Sequence, residues 1–205
     1  TSSPPTAPPD ATPLPSPTPP PPSTLYADDF SDENSGWGTS VDNNTEVGYA
    51  TGEYRIAVKL SDYMGWGQGP DLAMADYELE VDTIHVAGPL DNNYGPLVRY
   101  QDETDEFYWF QISSDGYYSL VKRQGGAPEV ISDWGATAVV RQGQVTNEIR
   151  IVALGDAFRF FINGEAMPLC LKGENALSMW DPSQPGQCYT GDLTYIYRDT
   201  DFAQG

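Results

Sequence analysis

YGPLVRYQDETDEFYWFQISSDGYYSLVKR, residues 94–123, is the stretch that decides the fold. Two apolar runs flank the acidic QDETDE turn and a third follows SSDG, which predicts three consecutive antiparallel strands. The hairpin at SSDG can be solved for register. A two-residue Asp115-Gly116 turn would set Ile112 opposite Ser119, a large apolar residue against a small polar one. A three-residue loop, Ser114-Asp115-Gly116 with Gly116 in the left-handed region, pairs Ile112 with Tyr118 and Phe110 with Leu120 instead. Because a slip of one residue inverts every side chain, this choice assigns both faces. Phe110, Ile112, Tyr118 and Leu120 face a core. Trp109, Gln111, Tyr117 and Ser119 face the other way, joined by Arg99 if its strand keeps phase. A face of Trp, Arg, Gln and Tyr is unusual for a plain solvated surface. Arg99, Trp109, Gln111 and Tyr117 are therefore the candidate ligand-binding residues.

Outward from this stretch, turn signals punctuate short apolar runs at near-regular spacing, as a sandwich or barrel requires. EVGYA, the turn Thr51-Gly52 and EYRIAVKL predict a hairpin with Tyr54, Ile56, Val58 and Leu60 on one face. DYELEVDTIHVAG alternates as Tyr77, Leu79 and Val81, then changes phase to Ile84 and Val86, which predicts a β-bulge near Thr83. TNEIRIVALG and DAFRFFING are joined by a tight turn at Gly155-Asp156, and Asn163-Gly164 is a strong type I′ signal. No helix-period stretch of useful length and no internal repeat occurs. The expected fold is all-β: an antiparallel two-sheet β-sandwich.

The first 24 of the 205 residues carry eleven of the eighteen prolines, with Ser, Thr and Ala making up most of the rest. Such a segment buries too little apolar surface to offset its ordering entropy and favours polyproline II, reaching about 70 Å if fully extended. It is read as a stalk or linker, with the sandwich over 25–205. Its position at the start fits the mature form of an exported protein, or an interdomain linker. No stretch approaches the roughly 20 apolar residues that span a bilayer.

Thirty acidic residues against ten Lys and Arg give a net charge of −20. That balance repels nucleic acid and anionic membranes. It suits a soluble extracellular module, and leaves carboxylates available for calcium. The clusters Asp28-Asp29-Phe-Ser-Asp32-Glu33 and Asp102-Glu103-Thr-Asp105-Glu106 lack the EF-hand pattern, so solvated loop charge is the simpler reading and calcium the one cofactor left open. The only cysteines, Cys170 and Cys188, read as one disulfide closing a loop in an exported protein. With no CxxC and no His beside them, they are not a zinc site.

DDFSDENSGW (28–37), VGYATGEYRI (47–56), YELEVDTIHVAGPLDNNYG (77–95), VRYQDETDEFYWFQISSDGYYSLVK (98–122) and TNEIRIVALGDAFRFFING (146–164) together are similar to bacterial concanavalin A-like, laminin-G-like β-sandwich domains. These are related to the domain of the 3-keto-disaccharide hydrolases. The resemblance implies a jelly roll on an exported, often multidomain protein, commonly tethered by Pro/Thr-rich linkers. Its function is less defined, because the superfamily mixes lectins, hydrolases and adhesion modules. Two departures stand out. A disulfide-closed insertion at about 165–198 follows Asn163-Gly164, and at DFAQG (201–205) the family would continue with further strands. The sandwich is therefore expected to lack its last strand or two, leaving an open edge for the arm or a neighbouring chain.

Catalytic patterns are weaker. Glu80-Val-Asp82-Thr-Ile-His85 resembles the ExDxxE strand of laminarinase-type glycoside hydrolases, but His85 stands where the general acid would be. Retaining chemistry needs two carboxyls about 5–5.5 Å apart. Glu78, Glu80 and Asp82 read equally as the polar face of a half-buried strand. His85 is the only histidine, with no GxSxG context and no partner for a zinc site. No catalytic residue is assigned. The expected function is a non-catalytic carbohydrate-binding or adhesion module at the cell surface, whose partner is an extracellular glycan or a neighbouring surface chain. The alternatives are a structural subunit of a surface assembly, homo-assembled through the open edge or the arm, and a glycoside hydrolase.

Overall fold

The computed structural model describes residues 23–72, 74–173 and 179–205. The expectation for the Pro-rich arm falls almost wholly outside them. The described residues form two compact units, one up to Pro70 and one from Asp71 to Gly205. Among the described residues there is no helix.

The first unit holds a three-stranded antiparallel sheet, β1 (Ser40–Val41), β2 (Thr45–Tyr49) and β3 (Tyr54–Val58), in that order. The β2–β3 turn is the one predicted: Tyr49 pairs with Tyr54, and Thr51 and Gly52 both take positive φ (57° and 79°), the type I′ geometry that matches strand twist. Tyr54, Ile56 and Val58 do share a face. However, Ile56 and Val58 remain exposed beyond the strand's aromatic end, and Val47 is the buried member. Phe30, Trp37, Tyr49 and Tyr54 form a small aromatic core, with Trp37 and Tyr54 centroids 5.0 Å apart. Gly67 is required there, because a Cβ would fall 2.3 Å from the Tyr54 ring.

The second unit carries the remaining strands: β4 (Tyr77–Thr83), β5 (Asn93–Tyr94), β6 (Leu97–Gln101), β7 (Glu106–Ser113), β8 (Tyr117–Gln124), β9 (Ala127–Ala136), β10 (Asn147–Leu154), β11 (Ala157–Ile162), β12 (Glu165–Ala166), β13 (Leu169–Leu171), β14 (Met179–Trp180), β15 (Cys188–Thr190), β16 (Asp192–Thr194) and β17 (Tyr197–Arg198). One sheet runs β12-β11-β10-β4 with β17 also on β11. The other runs β16-β13-β9-β8-β7-β5 with β6 also on β7, and β14-β15 form a separate ribbon. All pairs are antiparallel, giving the expected two-sheet sandwich.

The β7–β8 register is the one derived from the sequence: Ile112 pairs with Tyr118, Phe110 with Leu120, and Gly116 has φ 102°. Phe110, Ile112, Tyr118 and Leu120 are buried and meet β10 and β11 from the facing sheet. Phe110 stacks on Phe160 at 4.7 Å, and Tyr108 packs on Phe158 at 4.9 Å. Such aromatic pairs contribute about 0.5–1.5 kcal/mol each beyond their burial.

β4 alternates as expected, with Tyr77, Leu79 and Val81 inward and Glu78, Glu80 and Asp82 outward. The bulge expected near Thr83 is absent. The β4–β10 register is unbroken from Tyr77 to Thr83, where the strand ends, and Ile84 and Val86 are exposed. The change of phase in the sequence marks the end of a strand.

The segment after Asn163-Gly164 does more than form a loop. β13 and β16 extend the larger sheet beyond β9, and Cys170 and Cys188 form the predicted disulfide with Cα atoms 5.6 Å apart. Trp180 packs on Tyr118 and donates to the Asp133 carbonyl at 2.7 Å. Gly135 makes room for it, since a Cβ there would lie 2.8 Å from the indole. Residues 197–205 then return across the sandwich. Phe202 is buried against Tyr108, and Lys122 Nζ donates to Asp199 at 2.7 Å and to Asp201. The Gln101 amide donates to the Gln204 carbonyl at 2.6 Å.

Candidate functional site

The outer face of the larger sheet is built by β7, β8 and β9. Register places Trp109 opposite Val121, Gln111 opposite Ser119 and Ser113 opposite Tyr117, all on the side away from the core. The structure does not bring the four candidates together. Arg99 is the clear correction. The β6–β7 register shifts between Val98 and Gln101, and Arg99 itself has φ 54°. The irregularity turns its side chain to the inner side, where it is 1% exposed. There its guanidinium donates to the Gly155 carbonyl at 3.1 Å and lies over the rings of Tyr77 and Phe158. The strand does not keep phase, so Arg99 belongs to the core.

Gln111 is on the expected face but out of a ligand's reach, 4% exposed. It is buried, its oxygen accepts from Asn93 and its nitrogen donates to Ser119 Oγ at 3.0 Å. Ser113 and Ser119 are buried beside it. Trp109 is partly buried, and its indole N–H is enclosed without a partner. Over β7, then, the face is closed.

It opens on β9 and at the Tyr117 end of β8, while Ser119 and Val121 further along β8 are buried. Tyr117 is 40% exposed and Trp134 37% exposed. The reason lies in β9, whose register against β8 shifts twice, between Tyr118 and Leu120 and again between Leu120 and Val121. Asp133 and Trp134 together stand opposite the single residue Ser119, so the extra residue re-aims Trp134 onto the outer face. Tyr117 pairs with Ala136, two residues along β9 from Trp134, which makes the two aromatics diagonal cross-strand neighbours, about 7–8 Å apart. Gln142 lies against Gly116, the residue before Tyr117: a Cβ there would fall 2.6 Å from its Nε2. The sequence reading missed Trp134 because EVISDWGA does not alternate. That broken alternation was itself the signal of the bulges.

Among the described residues no group of three or more His, Cys, Asp or Glu is placed to hold a metal ion. The acids of the first cluster serve the chain instead. Asp28 accepts from the Phe30 amide, Tyr26 and Ser35, and Asp29 and Asp32 accept from the amides of Ser31 and Asn34. The bonds from Ser35, Phe30 and Tyr26 hold the Asp28 carboxyl below the usual carboxylate range, against the upward push of desolvation. In the second cluster Asp105 accepts from Tyr100, and Glu106 caps the Gly125 amide at 2.7 Å.

The strand that resembles a glycosidase motif offers Glu78, Glu80 and Asp82 to solvent, with Glu78 bound by Arg150 at 3.0 Å. His85 lies past the end of that strand, 8% exposed and stacked on Tyr94 with centroids 6.2 Å apart.

No family model and no curated protein matches the chain. Among solved structures the chain is similar to the carbohydrate-binding module CBM66 from Bacillus subtilis, with a TM-score of 0.46 and 15% identity over 83% of this chain and 84% of that one.

Proposed function

We propose that this protein is a non-catalytic module that binds an extracellular carbohydrate through the open part of the outer face. The observation that carries the reading is the exposed aromatic pair, Tyr117 on β8 and Trp134 on the bulged β9. Sugars present apolar C–H faces that stack on such rings, and an amide nearby, here Gln142, can both donate to and accept from hydroxyls. A net-negative surface favours neutral glycans over polyanionic ones. Gln111 braces β7 through Asn93 and Ser119.

A binding role without turnover is supported by His85 standing where the general acid of the glycosidase pattern would be. A disulfide suits an oxidising, extracellular compartment. Affinity electrophoresis against a panel of neutral polysaccharides tests the proposal. Retarded migration in at least one gel, relieved by its free oligosaccharide, is the expected result. Unretarded migration across the panel, or release of reducing sugar that stops in Glu80→Gln, would overturn it.

A further inference from the structure

Among the described residues, Arg55 is the one cation of this acidic chain without an ion pair, a carbonyl or a ring to hold it. Ten Lys and Arg face thirty carboxylates. Five of the ten are in ion pairs, two donate to backbone carbonyls and two lie over aromatic rings. Among the described residues Arg55 alone makes none of these contacts, although carboxylates outnumber cations three to one.

Its position gives that vacancy a shape. Arg55 lines a cleft of about 420 Å³ on the first unit, with Glu33 and Asn34 from the preceding turn, Thr39 just before β1, and Val41 and Glu46 from the sheet. The floor is Gly48, which stands opposite Arg55 in the β2–β3 register. A Cβ at Gly48 would lie in contact with Thr39, at 3.4 Å, and both residues line the cleft, so a branched side chain there would take up part of it. Val41, 75% exposed, supplies an apolar wall.

We infer that this cleft is a second ligand site and that it takes a sugar acid: a hydroxyl-rich, otherwise neutral ring whose single carboxylate docks on Arg55. The guanidinium fork matches a planar carboxylate in two parallel hydrogen bonds, which gives orientation as well as charge. Glu33, Glu46 and the Asn34 side-chain oxygen are acceptors for hydroxyl groups. The same two carboxylates, with the net charge of −20, reject a polyanion. The volume falls within the range of small-ligand sites. Glu46 is only loosely held by Lys59, at 3.7 Å, and keeps lone pairs free. The site lies wholly within the first unit and does not depend on the Tyr117/Trp134 reading.

The test is an amide NMR titration of the whole chain with glucuronate, and with glucose and acetate as separate controls. Glucuronate is expected to shift the amides of Asn34, Thr39, Gly48 and Arg55, with glucose and acetate shifting them far less. Arg55→Gln and Arg55→Lys are each expected to weaken glucuronate binding roughly tenfold or more, since lysine keeps the charge but loses the fork. Gly48→Val should block binding while leaving Arg55 in place. The pair Tyr117→Ala/Trp134→Ala should leave it unchanged, which separates this site from the other. An absent shift, equal shifts with glucose or acetate, or an Arg55→Gln titration like the parent's would overturn the inference.

Discussion

Replacing Lys122 with Met removes the ammonium that ties residues 197–205 to the sandwich while keeping an apolar stem of similar length. Lys122 is 4% exposed and sits against Asp199, whose side chain is 14% exposed, and Asp201, which is nearly half in water. In the variant Asp201 turns to solvent, but Asp199 is left enclosed without a cation, held by Tyr197 and the Asp201 amide. Breaking a buried pair on one side costs about 3–5 kcal/mol; the partial exposure here argues for the low end, about 3 kcal/mol. For a chain of this size that corresponds to a fall in melting temperature of roughly 6–12 °C.

The pH dependence carries a sign. Burial pushes the Asp199 carboxyl up, yet Lys122, Tyr197 and the Asp201 amide together hold it below the usual range. The stability this contributes is present above the unfolded carboxylate pKa, about 4, and is lost as pH falls through the folded value. Desolvation pulls the Lys122 ammonium down, but Asp199 and Asp201 raise it overall. Its contribution is therefore present below the unfolded lysine pKa, about 10.4, and is lost as pH rises through the folded value. Lys122→Met should thus differ most from the parent near neutrality, and the gap should narrow in acid as Asp199 takes a proton. Thermal melts from pH 3 to 8 read this directly. A variant within about 2 °C of the parent at pH 7, or a gap that widens in acid, would refute the reasoning.

Two further predictions concern the second unit. Replacing both cysteines with serine should cost about 3 kcal/mol by loop entropy. Hydrogen exchange should then show amides of β13 to β16 losing protection before those of β7, β8 and β10; uniform loss would contradict the assignment. Arg99→Met removes donors to the Gly155 and Phe202 carbonyls, so a lower melting temperature with unchanged glycan retardation is expected, whereas lost retardation in a fully stable variant would return Arg99 to the site.

What the sequence made legible was local register. The β7–β8 hairpin, the outward acids of β4 and the turns at Thr51-Gly52 and Asn163-Gly164 follow from alternation and turn chemistry, which act between neighbours in the chain. Arg99 and Trp134 were misjudged or missed for one shared reason. Each sits where a strand departs from strict alternation, and whether a side chain then points inward or outward is decided by the partner strand. The disulfide followed from having two cysteines. That β13 and β16 extend the larger sheet could not follow, because their runs are three residues each and their partners lie far away in the chain. Gln111 shows the limit of a face argument: the register is right, but the side chain is buried on that face and held by Asn93 and Ser119.

The central claim is that Tyr117 and Trp134 bind sugar and carry little of the fold. It is tested most directly by measuring, on Trp134→Ala and Tyr117→Ala, affinity for the retarding oligosaccharide by calorimetry and melting temperature on the same samples. Base-free aromatic stacking on exposed rings predicts that each variant loses most of its affinity while melting within a few degrees of the parent, about 1 kcal/mol or less in stability. Unchanged affinity in both variants, or a collapse of several kcal/mol in stability such as a truncated core aromatic produces, would contradict the account.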